Sequence, residues 1–228
     1  MGSTQSNEDG AAPASPPGAA AAEPVDIDGK GDYSLTAADT EKKAAIEQLL
    51  TACRAGERER IAEIIAEHDL HVDARNRSGQ TPLLLLAYEG HHDAIVWFVE
   101  RYAANVNYRG STGWTPLMSC AGASNGLHGA RALLDVFHAE PNCRLNYGHT
   151  ALHEAARFAQ HTPLLELLMR HGASPYVSSG DKLPVDVARQ SANCGANVHL
   201  FNTVDALLRA LPFARAMYAV LRAAAPRD

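Results

Sequence analysis

Apolar positions along this chain fall in short clusters separated by turn residues, and the clusters recur. Thr81-Pro82-Leu83, Thr115-Pro116-Leu117, Thr150-Ala151-Leu152 and Leu183-Pro184-Val185 open successive units at separations of 34, 35 and 33 residues. Threonine offers an oxygen to the orphan amides of a helix start, and proline at the first helical position has no N–H to leave unpaired, so these triplets predict helix starts. A glycine bend follows, as in Glu89-Gly90-His91, and then a second apolar stretch such as Ala94-Ile95-Val96-Trp97-Phe98-Val99. One helix pair cannot bury such a stretch alone, whereas stacked pairs can. Thr162-Pro163 repeats the cap pattern ahead of Leu164, Leu165, Leu167 and Leu168, which read as core, and Gly172 predicts a left-handed stop.

The period near 33 and the segments 81–87 (TPLLLLA), 115–121 (TPLMSCA) and 150–156 (TALHEAA) resemble the ankyrin signature T-P-L-H-x-A. The resemblance implies an all-α solenoid of about five helix-turn-helix units joined by β-turn loops. In that register the units run roughly 35–76, 77–108, 109–144, 145–178 and 179–211, making an array over 35–211. The first unit lacks Thr-Pro, with Glu47 and Gln48 in its place, but Leu49, Ala52, Cys53, Gly56, Ile61, Ile64 and Ile65 fall at matching positions. Its first helix, roughly Thr36 to Arg54, is long and polar, as suits an opening cap. The closing unit is carried by 180–189 (GDKLPVDVAR) and an apolar helix at Val204, Leu207, Leu208 and Leu211. After Pro212, Phe213, Met217, Val220 and Leu221 share one face of a further helix over 212–228, which reads either as a cap on the last unit or as a partner-binding helix.

Two departures from the pattern stand out. The third unit lengthens its bend over 122–126 and carries Gly129 and Arg131 in its second helix, which predicts a weak unit. The histidine of the signature is present only as His153, with Leu50, Leu84, Met118 and Asp186 in the corresponding places. His153 is expected to hold a helix start by hydrogen bonds.

Charge divides the chain. Residues 1–41 hold eight carboxylates and one lysine, whereas residues 42–228 hold nineteen Lys or Arg against eighteen Asp or Glu. The acidity therefore sits in an Ala, Pro and Gly-rich tail, 1–34, which lacks a periodic apolar face and is expected to be disordered. A near-neutral array has no basic stripe of the kind that binds nucleic acid, so none is expected as partner. The four cysteines are dispersed without C-x-x-C pairing, which points to free thiols in a reducing compartment and a cytoplasmic location.

Met1-Gly2-Ser3-Thr4-Gln5-Ser6 satisfies M-G-x-x-x-[S/T], the pattern for N-myristoylation of Gly2. The other reading is an accidental match in a low-complexity tail, and the residues leave both open. One myristoyl chain binds membranes only marginally, with a constant of about 10⁴ M⁻¹, and no neighbouring cysteine or basic cluster adds a second anchor.

Candidate catalytic chemistry is thin. His149 and His153 lack the intervening glutamate of a zinc-protease helix, His68 with His71 and the pair His91 and His92 lack a third ligand, and no P-loop or nucleophile elbow occurs. No catalytic residue, cofactor or metal is assigned. The family resemblance implies protein binding instead, through the concave face made by loop tips and first helices. The side chains assigned to that face are Arg77, Tyr88, Tyr108, Trp114, Tyr147, His149, Arg157 and Phe158, because aromatic residues and arginine dominate interface energetics. Trp114 equally fits packing against a neighbouring loop. The expected function is a monomeric, non-enzymatic adaptor for one or more partner proteins. The alternative is a regulatory or assembly-chaperone subunit of an enzyme complex.

Overall fold

A computed structural model describes residues 37–191 and 194–210. The tail 1–34 with Gly2, and the helix expected over 212–228, lie outside the described residues.

Among the described residues ten α-helices follow one another in pairs: α1 (Ala37–Ala55) and α2 (Arg58–His68), α3 (Pro82–Glu89) and α4 (His92–Tyr102), α5 (Pro116–Gly122) and α6 (Leu127–Arg131), α7 (Ala151–Ala156) and α8 (Thr162–Arg170), α9 (Pro184–Gln190) and α10 (Gly195–Ala210). A π-helical turn, Ala132–Val136, prolongs α6, and a 3-10 turn, Ala159–His161, leads into α8. The first helices α1, α3, α5, α7 and α9 pack on one another in order, and α4, α6, α8 and α10 form a second row behind them. This is the all-α solenoid of stacked helix pairs that the motifs imply.

The helix starts follow from local chemistry. Thr81 Oγ1 accepts the Leu84 N–H at 3.4 Å, and Thr115 Oγ1 accepts the Met118 N–H at 3.3 Å, each with proline next in the helix. Such caps contribute about 1 kcal/mol apiece. Gly90, with φ of +78°, ends α3 in the left-handed region that favours glycine. Leu49, Leu86, Ile95, Phe98, Leu117, Met118, Leu133, Leu152, Leu165 and Leu168 are fully buried between the two rows, and burying a side chain of this size stabilises by roughly 1.5–3 kcal/mol.

Side chains also tie each turn tip to the next. Ser111 Oγ donates to Ser78 O at 3.0 Å, Asn146 Nδ2 to Ser111 O at 2.9 Å, and Ser179 Oγ to Tyr147 O at 2.6 Å. The tips therefore form one continuous edge alongside the first helices.

One local expectation is corrected, and the glycines of the third unit have a packing reason. Thr162 does not cap α8: the 3-10 turn runs into the helix, Thr162 is already helical, and its hydroxyl donates to Asn197 Oδ1 of α10 at 2.6 Å. The third unit does distort its second helix into a π turn, but its glycines serve close packing. A Cβ on Gly126 would overlap the Cys120 carbonyl, and one on Gly129 would lie 2.9 Å from Ile95 Cδ1 and 3.0 Å from Cys120 Sγ. Glycine here lets α6 approach α5 and α4.

Candidate functional site

Three neighbourhoods on the tip edge hold seven of the eight side chains assigned to binding. Between the first and second tips lies a cleft of about 270 Å³ whose walls include Gln80, Leu84, Tyr88, Trp114 and Ser119. Tyr88 is 54% exposed near the end of α3. Trp114 is half-buried, its indole N–H donates to Ser119 Oγ of α5 in its own unit at 2.8 Å, and the residue lines the cleft.

The fourth unit gathers Tyr147, His149 and Arg157 around a residue that the sequence did not single out. Glu154, on α7 with its side chain only 2% exposed, pairs with His149 Nδ1 at 2.8 Å through Oε1 and with Arg157 Nη1 at 3.1 Å through Oε2. Tyr147, 56% exposed, meets the His149 ring edge-on at 4.9 Å. Burial, and then Glu154, push the Tyr147 phenol up from its ordinary value. The signal that could have found Glu154 is its spacing: three residues before Arg157, it faces that residue across one helical turn, while His149 reaches it from the turn just ahead of α7.

Beneath this group His153 is fully buried and stacked on His149 at 4.9 Å. The Thr150 N–H donates to His153 Nδ1 at 3.1 Å, which leaves the Nε2 proton to donate to Lys182 O at 3.3 Å in the next tip. Burial holds the imidazole down to about 4, so it is neutral at ordinary pH. Its place is structural, as expected of a helix-start histidine.

The first two tips supply the rest. Arg77 is exposed beside a cleft of about 300 Å³ that Lys43, Glu47 and Arg75 also line. Tyr108 is half-buried, and its hydroxyl accepts from Arg75 Nη1 at 3.2 Å. Phe158 departs from the outward orientation expected of it. Its ring packs 4.9 Å from His161, its carbonyl accepts the Asn197 amide at 2.9 Å, and the residue is half-buried past the end of α7. The 3-10 turn that follows it and α10, whose Asn197 lies almost forty residues on, draw it in.

The four cysteines are all free thiols, with Cys53, Cys120 and Cys194 buried. Burial pushes Cys53 and Cys120 up to about 12, which keeps them protonated and poor nucleophiles. Among the described residues no cluster of three or more His, Cys, Asp or Glu is placed to hold a metal ion, and no helix is long and apolar enough to cross a membrane.

Residues 41–144 and 86–179 match the family described as ankyrin repeats (3 copies), so that the matched region, 41–179, covers more than half of the chain. No curated protein is similar enough to match the chain. With the Thr-Pro helix starts, the two rows of helices and the linked tips, this match places the chain in the ankyrin-repeat family.

Proposed function

We propose that this chain is a non-enzymatic adaptor that binds partner proteins through the edge of turn tips and the adjoining first helices of its array. Ankyrin repeats are generally protein–protein interaction modules. The observation that carries the reading is the placement of Tyr88 and Tyr147, two large aromatic side chains more than half exposed, beside the Trp114 cleft and the Arg157–Glu154 pair. Exposed tyrosine next to held arginine is the composition of an interface centre. Arg77, Tyr108 and His149 extend the face on either side, and Phe158 borders it.

The test is affinity measurement of partners captured by the full chain, with Tyr88→Ala plus Tyr147→Ala against Arg101→Ala on the exposed side of α4 as control. Loss of two such anchors should weaken binding by about thirtyfold or more while the control stays at parental affinity. Equal affinity of the double variant and the parent would remove this face from the reading. A single stoichiometric enzyme complex among the captured proteins would instead support the regulatory-subunit function. If Gly2 is acylated, the single lipid adds a weak, reversible membrane pool to a cytoplasmic protein.

A further inference from the structure

Two hydroxyl side chains on the tip edge stand three residues after an arginine. Arg75 precedes Ser78 on the first tip, and Arg109 precedes Thr112 on the second; no other arginine of the chain has serine or threonine three residues on. The repeat register produces both, because Ser78-Gly79 and Thr112-Gly113 occupy the same turn, each glycine at positive φ, +74° and +81°. Ser78 also has Arg77 directly before it. Asp73 is the carboxylate nearest to either hydroxyl in sequence, and its Oδ1 accepts the Asn105 N–H at 3.4 Å.

Both residues are exposed. Ser111 Oγ and Ser179 Oγ are spent on ties between tips, whereas the Ser78 and Thr112 hydroxyls make no hydrogen bond among the described residues. The two arginines are hydrogen-bonded at the surface, Arg75 Nη1 to Tyr108 Oη at 3.2 Å and Arg109 Nη2 to Arg144 O at 2.6 Å. A carboxylate offers either one a stronger, charge-assisted partner. Each tip is closed by local bonds, Gly79 N–H to Asn76 O at 2.9 Å and Gly113 N–H to Gly110 O at 2.8 Å. Drawing a tip into an enzyme cleft therefore opens one turn and leaves both rows of helices in place. Ser78 and Thr112 also both belong to the walls of the cleft beside Tyr88 and Trp114, and no wall residue of that cleft is charged.

We propose that Ser78 and Thr112 are phosphorylation sites for a protein kinase that reads arginine three residues ahead of its acceptor, and that phosphate there releases a partner seated on the Tyr88–Trp114 cleft. Kinases select substrates by such charge patterns. The hydroxyl oxygen attacks the γ-phosphorus of magnesium-bound ATP. An oxygen–phosphorus bond forms, the bond from the γ-phosphorus to the bridging oxygen breaks, ADP leaves with that electron pair, and the hydroxyl proton passes to a carboxylate of the kinase. Each phosphate brings about −1.5 to −2 charges to a cleft that has none, so an apolar or acidic partner surface meets desolvation and repulsion there. The release rests on the adaptor function; the modification does not.

The test incubates the full chain with ATP, magnesium and the catalytic domain of a kinase selective for arginine at that position. Intact mass should rise by one or two phosphoryl groups, and peptide mapping should place them on Ser78 and Thr112. Ser78→Ala with Thr112→Ala should abolish incorporation without changing the melting curve. Arg75→Gln with Arg109→Gln, which leaves both acceptors in place, should slow it by about tenfold or more. A free peptide of residues 72–82 serves as the reference substrate. A folded chain left unmodified while the peptide is phosphorylated overturns the proposal, as does a peptide the kinase ignores, or phosphate mapped only to other residues. With a captured partner, the phosphorylated chain should bind at least about tenfold more weakly than the unmodified one. Equal or tighter binding overturns the release alone, and failure of the Tyr88 and Tyr147 test bears on the adaptor function alone.

Discussion

His149 Nδ1 and Glu154 Oε1 lie 2.8 Å apart, and this contact fixes a buried carboxylate at the surface where Tyr147 and Arg157 are displayed. Removing a hydrogen-bonded charge from such a site costs about 1.5–3 kcal/mol. Glu154→Ala should therefore lower stability by that amount in denaturant unfolding and free the Arg157 and His149 side chains. Arg157→Ala, whose side chain is 56% exposed, should cost well under 1 kcal/mol. Equal losses from the two variants would show that Glu154 is not held mainly by the buried histidine contact.

The third unit offers a case in which helix propensity and packing oppose each other. Alanine at position 129 gains about 1 kcal/mol of helix propensity, but its Cβ would crowd the buried Ile95 and Cys120 side chains, and overpacking costs about 1–3 kcal/mol. Gly129→Ala should be net destabilising, and Gly126→Ala more so, since its obstacle is the Cys120 backbone carbonyl. Chemical denaturation ranks them, and a Gly129→Ala protein more stable than the parent would refute the close-approach account.

His153 makes the fold sensitive to acid. Its folded value, about 4, lies below the ordinary 6.5 because burial disfavours the imidazolium. The unfolded chain therefore binds the proton more readily, so stability rises with pH across that window and is lost as pH falls from about 6.5 through about 4. Burial lowers His161 in the same direction. Unfolding free energy should fall by roughly 2–3 kcal/mol more in the parent than in His153→Asn between pH 7 and pH 4. Parallel pH profiles would show that His153 is not the group responsible.

At the N-terminus, co-expression with a myristoyltransferase should add one myristoyl mass to the parent and none to Gly2→Ala. Fractionation should then recover the parent from both soluble and membrane pools, as expected of a single weak anchor. An unmodified parental mass would remove the lipid from the function.

What the sequence determined by itself was the part governed by neighbours in the chain. The recurrence of Thr or Pro helix starts near every 34 residues, the caps at Thr81 and Thr115 and the left-handed turns at Gly90 and Gly172 arise from bonds and dihedrals within four or five residues, so the repeat architecture and most helix starts were legible. Tyr88 and Tyr147, assigned to the face made by loop tips and first helices, are both more than half exposed. The tertiary structure decided everything that depends on a neighbouring unit. Thr162 looks like a cap in the chain but is drawn to Asn197, thirty-five residues on. Gly129 looks like a weak point but is where α6 meets Ile95 and Cys120, and Phe158 looks exposed but is turned in by the bend against His161 and Asn197. The carboxylate of Glu154 has its role because α7 is packed deeply enough between its neighbours to exclude water, leaving His149 and Arg157 to satisfy it. Burial and contact between stacked layers are sums over residues a full repeat or more apart, and no local pattern contains them.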